Sequence, residues 1–219
     1  VFNQDIGNWD TANVKDMSQM FYKAKVFNYD IGNWNTAAVT NFGSMFQHTE
    51  MFDQDIGAWN TAAVTTMDYM FKYENAFNQA IGSWDTANVN GINSMFYDAH
   101  VFDKDIGSWN TAKVLGMGCT FKQALVFDQD IGSWNTAKVL DMNQMFHNAL
   151  AFNQDIGSWN VNSNIYLYRT FSASLSAVTP LGTPPPAFNQ NIGLWNTVAV
   201  KNPAQMFQDQ VTFGSWCPN

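Results

Sequence analysis

Val1-Phe2-Asn3-Gln4-Asp5-Ile6-Gly7-Asn8-Trp9-Asp10-Thr11-Ala12-Asn13-Val14 is the first of eight copies of one phrase. It returns at Val26, Met51, Ala76, Val101, Val126 and Ala151 at a constant spacing of 25 residues, and again at Ala187 after an insertion. A fixed period of this length marks stacked units. Each is too small to bury its own apolar face and is covered by the next. The expectation is a right-handed parallel β-solenoid of eight coils plus a partial ninth. The repeats fall at 1–25, 26–50, 51–75, 76–100, 101–125, 126–150, 151–175 and 187–211, with a Pro-rich insertion at 176–186 and a tail at 212–219. All of it reads as a single domain. Because residue 1 is already in phase with a repeat, a piece of a longer protein is expected.

Within the repeat, some positions do not vary. Position 2 is always Phe, position 6 Ile, position 9 Trp and position 21 Phe. Phe2, Ile6, Trp9 and Phe21, then Phe27, Ile31, Trp34 and Phe46, begin the columns expected to form the core. A Trp at one phase of every coil reads as packing rather than as a sugar platform. Stacked aromatics add about 0.5–1.5 kcal/mol per pair beyond their burial. Short strands are expected at repeat positions 4–7, around Gln4-Asp5-Ile6-Gly7. The three- and four-residue spacing of Val14, Met17, Met20 and Phe21 predicts a short helical or 3₁₀ turn. Asn or Asp at position 10, followed by Thr in seven of the eight copies, predicts an Asx-type turn.

Composition narrows the function classes. The chain has 219 residues, 46% of them hydrophobic and 16% aromatic, enough for a large core. Charged residues make up 13%, about half the usual share. The net charge is −8 with no basic run, which argues against nucleic acid. No apolar stretch is long enough for a membrane span. Cys119 and Cys217 lie about four coils apart. At about 4.8 Å per coil they exceed the reach of about 7 Å that a disulfide allows. No internal bridge is expected, and Cys217 is left to pair outside this segment.

The pattern F-N-Q-D-I-G-x-W-[DN]-T-A-x-V-x-x-M-x-x-M-F closely resembles the 25/26-residue repeat of BspA-like surface proteins, which also occurs in mycoplasma lipoproteins and in proteins of marine microalgae. The family's usual Ser at repeat position 12 is Ala here in six copies, Ala12 to Ala137. The match weakens in repeat 7, which lacks Thr at position 11 and Val at position 14, and at Pro203, where Met belongs. The resemblance implies a leucine-rich-repeat-like fold, a cell-surface or extracellular setting, and an adhesive or structural role. It supplies no catalytic residues. The function expected is a non-catalytic module for adhesion to other surface proteins or glycans. The alternative is the structural subunit of a surface fibre, appendage or sheath, self-associating head to tail through the coil ends.

Candidate sites are few. Position 5 forms an acidic column, Asp5, Asp30, Asp55, Asp105, Asp130 and Asp155, broken by Ala80 and Asn191. Such a column either caps local turns or attracts a basic partner or a cation. Calcium is the candidate ion, although it needs six to eight oxygens and the nonapeptide calcium-repeat motif is absent. No other cofactor is expected. Asn or Asp at position 3 in every copy suggests ladders that satisfy backbone groups between coils. The Thr column, Thr11 to Thr136, is a candidate to order water or carry O-linked sugar, and no N-x-[ST] sequon occurs. His48, His100 and His147 fall at different repeat positions, and no catalytic motif appears. Only Tyr166, Tyr168 and Arg169 break the repeat with chemically active groups. Variable positions are where coils differ, and Lys15, Lys23, Lys25, His48, Glu50, Lys72, Tyr73, Glu74, Asp98, His100, Lys113, Lys122 and Lys138 read first as a solvated surface and second as the place where specificity could reside.

The first coil carries full-strength repeat residues and no polar cap. Phe2, Ile6 and Trp9 are therefore expected to be covered by further coils or by a neighbouring molecule.

Overall fold

The computed structural model describes residues 2–161, 165–173, 188–198 and 200–208. The repeats stack as layers in register. Single parallel bridges join Asp16 to Asn41, Asn41 to Thr66, Thr66 to Gly91, Gly91 to Gly116, Gly116 to Asp141 and Asp141 to Tyr166, always 25 residues on. A seventh joins Tyr166 to Lys201. The insertion at 176–186 and the tail with Cys217 lie outside the described residues.

The expected β-solenoid is not what forms. Among the described residues there is no helix, and β-structure is limited to these isolated bridges, with no sheet. The leucine-rich-repeat form implied by resemblance therefore has no strand array to support it. Repeat positions 4–7, expected as strands, spend their polar groups locally. Asp5 Oδ1 accepts the Gly7 N–H at 3.0 Å, and the Trp9 N–H donates to the Ile6 carbonyl at 3.1 Å. Position 7 is Gly because of a close approach. A Cβ on Gly32 would sit 2.5 Å from the Asp55 carbonyl oxygen of the next layer, and one on Gly107 2.4 Å from that of Asp130.

The expected helical turn at positions 14–21 is instead a run of β-turns. N–H groups alternate in direction along it. Those of Met17, Gln19, Phe21 and Lys23 donate to Asn41, Gly43, Met45 and Gln47 of the next layer. Those of Met20, Tyr22 and Ala24 donate three residues back, to Met17, Gln19 and Phe21. A helix would use every N–H within the segment and leave the layers unconnected. Residues at positions 19 and 23 adopt positive φ, from Gln19 (58°) and Lys23 (61°) to Gln144 (55°) and Asn148 (57°). That conformation at the third residue defines a type II turn and normally favours Gly.

The core follows the sequence columns. Phe27, Ile31, Phe46, Phe52, Ile56 and Phe71 are completely buried. Phe21 and Phe27 stack at 4.1 Å between centroids, Phe46 and Phe52 also at 4.1 Å, and Trp34 and Trp59 at 6.5 Å with planes 3° apart. Every inner Trp also has its polar atom satisfied, because Trp34 Nε1 donates to the Ile6 carbonyl of the preceding layer at 3.1 Å. The same bond recurs at Trp59, Trp84, Trp109, Trp134 and Trp159. Each is worth about 1 kcal/mol net and would cost more if left unmade.

Two of the expected core residues are exceptions. Phe2 is 44% exposed and Trp9 54% exposed, although Ile6 and Phe21 of the same layer are buried. Both belong to the first of the described layers, whose outer side has no neighbour among the described residues. The register survives the insertion: the Asn189 N–H still bonds Asn153 Oδ1, and Trp195 Nε1 still bonds the Ile156 carbonyl.

Candidate interaction surface

The acidic column resolves into turn caps. Asp5, Asp30, Asp55, Asp105, Asp130 and Asp155 each accept the N–H of the Gly two residues on, at 2.8–3.0 Å. Asn191 does the same for Gly193. Among the described residues no three His, Cys, Asp or Glu side chains gather as a metal site. Position 10 is a second Asx turn, Asp10 Oδ1 accepting the Ala12 N–H. Position 3 links layers: Asn28 Oδ1 accepts the Asp53 N–H, and Asp53 Oδ1 accepts that of Asn78. The Thr column faces inward. Thr36 and Thr61 are 1% exposed, and their hydroxyls donate to the Asn60 and Asp85 carbonyls. That orientation removes them as a surface for water or sugar. Cys119 carries a free thiol whose pKa burial raises, with nearby Lys122 opposing.

The turn run carries what the columns do not. Its side chains at positions 19, 22 and 23 form a ridge from layer to layer. Lys23 Nζ lies 4.9 Å from the Tyr22 ring, and Tyr22 meets His48 edge-on at 6.3 Å. His48 stacks on Tyr73 at 4.3 Å. Lys72 Nζ sits among three rings, 5.3 Å from Tyr69, 5.0 Å from Tyr73 and 4.7 Å from Tyr97. Lys122 Nζ lies 4.9 Å from the same Tyr97 ring, which the two lysines therefore share. His147 follows, bonded through Nδ1 to Ser172. Arg169 closes the file over Tyr168 at 5.3 Å and donates to Gln205 and Gln208. Each cation–ring contact is worth about 0.5–1 kcal/mol where water reaches it.

Cations outnumber carboxylates on the ridge, where Asp98 stands beside Tyr97. Burial lowers the His48 pKa first, and Lys23, Lys25 and Lys72 lower it further. Burial also leads at His147, with Lys122 and Arg169 adding to it. Both imidazoles are thus neutral at pH 7, kept so in part by the neighbouring cations. Of the carboxylates near this face, Glu50 pairs with Lys25 at 2.6 Å, and Asp98, beside Tyr97, lies 3.0 Å from His100 Nε2. Glu74, wholly buried beneath the ridge, has its pKa pushed up to about 9 by burial and is neutral as well. Its Oε1 accepts the Ala76 N–H, and its Oε2 has no partner. Desolvation also raises the pKa of the Tyr97 phenol.

Positive φ adds weight to this face. Tyr69, Tyr73 and His48 (each 61°), Cys119 (57°) and Arg169 (53°) hold large side chains in a conformation that suits Gly. Such strain costs on the order of 1–3 kcal/mol per residue and tends to collect where side chains act.

Of the residues singled out as variable, the structure brings Lys23, His48, Lys72, Tyr73 and Lys122 together here. Lys113 is elsewhere, bonded to Asn88. Tyr168 and Arg169, noted only as a break in the repeat, prove to be its end. Sequence reading did not name Tyr69 or Tyr97, and noted His147 only as a histidine at a shifting repeat position. The file alternates between positions 19, 22 and 23, so no single column reveals it.

Regular layers, shared columns and one variable ridge define a tandem-repeat protein. The chain belongs to the family described as "Mycoplasma protein of unknown function, DUF285", whose model matches residues 1–103, 74–183 and 183–216. No curated protein and no solved structure matches it.

Proposed function

We propose that this repeat protein is a non-catalytic, BspA-like interaction module of the cell surface, adhering to other surface proteins or glycans through the ridge. The observation that carries this reading is the ridge itself: Lys23, Lys72 and Lys122 lie against rings, and none has a carboxylate partner. Conserving a layer needs only the inward columns. Large cationic and aromatic side chains at strained turn positions need a further reason, and recognition supplies one. The test is retention of the purified chain on intact cells or isolated envelopes, comparing the native protein with a Tyr97→Ser/Lys122→Ser variant. Retention that does not depend on the ridge, or turnover of any glycan or peptide, would overturn the reading.

A second reading, a fibre or sheath subunit, is favoured by one observation. Phe2, Trp9 and Met20 of the first described layer are exposed, whereas the matching residues Phe27, Trp34 and Met45 are buried. An uncovered layer end is a template for another layer, and head-to-tail contact builds an open polymer. Concentration-dependent growth in light scattering, abolished by Trp9→Glu, would select this reading over the first.

A further inference from the structure

The permanent cations of the ridge occur in alternate layers: Lys23 in the first, Lys72 in the third, Lys122 in the fifth and Arg169 in the seventh. Between them stand rings that are uncharged at pH 7: His48 in the second layer, Tyr97 in the fourth and His147 in the sixth. Layers joined by parallel bridges rise by about 4.8 Å at the bridges, and the equivalent Phe rings of adjacent layers beside the ridge lie 5.5 and 5.7 Å apart, so cations two layers apart are roughly 10–11 Å from each other along the stack. That is about the length of one disaccharide in an extended polysaccharide.

We infer that the ridge binds an extended acidic polysaccharide carrying an anionic group on every second sugar. The inference rests on the interaction-module reading and gives its ligand a chemical class. Cations would meet the acidic sugars, and the intervening rings would meet the C–H faces of the neutral ones.

The alternative polyanion, an acidic peptide, fits less well. A peptide gains most of its affinity by adding backbone hydrogen bonds to an open edge. Here the backbone N–H groups of the turn run are already used: those of Phe71 and Tyr73 bond the next layer, and those of Lys72 and Glu74 bond within their own. Recognition is left to side chains. The chain's overall charge of −8 does not preclude an anionic ligand. The Asp residues of positions 5 and 10 cap turns on other segments of the layer. On the turn run Asp16, Asp68 and Asp141 accept backbone N–H groups, Glu50 pairs with Lys25 and Glu74 is neutral, so Asp98, bonded to His100 beside Tyr97, is the carboxylate that an anionic ligand meets on the ridge itself.

The experiment titrates the full chain with hyaluronan, which has one carboxylate per disaccharide, and with neutral dextran and poly-glutamate of similar length. Calorimetry or a fluorescent-polymer assay at two salt concentrations gives the affinities. Hyaluronan should bind, at least tenfold more tightly than poly-glutamate, and should weaken with salt as screening predicts. Dextran should not bind. Lys72→Gln/Lys122→Gln should weaken hyaluronan tenfold or more, while Lys113→Gln/Lys138→Gln, equal in charge change but off the ridge, should change it less than twofold. Tyr97→Leu, which keeps every charge, should still weaken it several-fold. Poly-glutamate binding as well as hyaluronan, equal losses in the two lysine pairs, or no hyaluronan binding overturns the inference. If hyaluronan fails while ridge-dependent retention on cells persists, the ligand class is wrong and the interaction-module reading stands.

Discussion

The first and second layers carry nearly the same sentence, yet the protein uses them differently. Trp34 is 4% exposed and donates its indole N–H to the Ile6 carbonyl, whereas Trp9, in the first of the described layers, is 54% exposed. Phe27 is fully buried and Phe2 is 44% exposed. Identical residues in identical local conformation thus differ in burial because burial comes from the neighbour. In a stacked repeat the energy resides in the interfaces, roughly one set per adjacent pair.

The largest test of that contrast is a pair of truncations. Trp59→Ala should cost about 3–5 kcal/mol, the usual loss for a buried aromatic. It also leaves the Ile31 carbonyl without its indole donor. Trp9→Ala should cost only about 1–2 kcal/mol, because 54% of its surface is already exposed. Urea unfolding of both variants measures the difference. Equal losses would mean that the first layer is covered in solution, which would strengthen the fibre reading.

The next test concerns the one charged residue in an apolar column. Position 24 is Ala in the first, fourth, fifth and sixth layers but Glu74 in the third. Burial raises its folded pKa to about 9, against 4.5 for an ordinary glutamate. The folded state therefore holds the proton more tightly. The associated stability is fully present below pH 4.5 and is lost as pH rises through 9, by up to about 1.4 kcal/mol per unit. Glu74→Ala should remove this slope and be more stable than the native chain by about 2–3 kcal/mol at pH 8. Stability curves from pH 5 to 9 check it, and parallel curves for the two proteins would refute it.

How far the sequence carried these conclusions depended on which link was being read. The period and the Phe, Ile and Trp columns were legible because apolar packing imposes residue identity in every layer. So was local capping by the Asp column, one of two readings open from sequence. The secondary structure was not legible. Gln4-Asp5-Ile6-Gly7 looks like a strand and Val14 to Phe21 like a helical turn, but both are settled by where N–H groups donate, which lies between layers. Left-handed turns at Gln19 and Lys23 were hidden as well, since no Gly marks them. The ridge escaped because Lys72, Tyr97 and Lys122 share position 22 while Tyr69 is at 19 and Tyr73 at 23, and only the turn geometry brings them together.

A smaller effect is expected at the acidic column. The fourth layer has Ala80 where its neighbours have Asp, so Gly82 lacks the cap that Asp105 gives Gly107. Ala80→Asn should supply it without adding charge beside Asp55 and Asp105, as Asn191 does for Gly193. The gain should be about 0.5–1 kcal/mol, the net worth of one such bond. A thermal melt with no upward shift would mean that the turn is held by its packing alone.

The smallest effect tests whether the strained turns are strained at all. Gln123 has φ of 58°, and no hydrogen bond of its side chain accompanies it. For an L-residue the left-handed region costs roughly 1–2 kcal/mol, which Gly escapes. Gly in turn loses about 0.5–1 kcal/mol in chain entropy. Gln123→Gly should therefore be neutral or stabilising by up to about 1 kcal/mol. Lys138, exposed and without positive φ, is the control, and Lys138→Gly should destabilise by about 0.5–1 kcal/mol. Opposite signs in one host would show that side chains are kept at position 23 against the backbone's preference, which is what a recognition role for His48 and Tyr73 requires. Equal destabilisation would mean that the left-handed turns are comfortable for any residue, and the strain argument for the ridge would fall while its charge pattern remained.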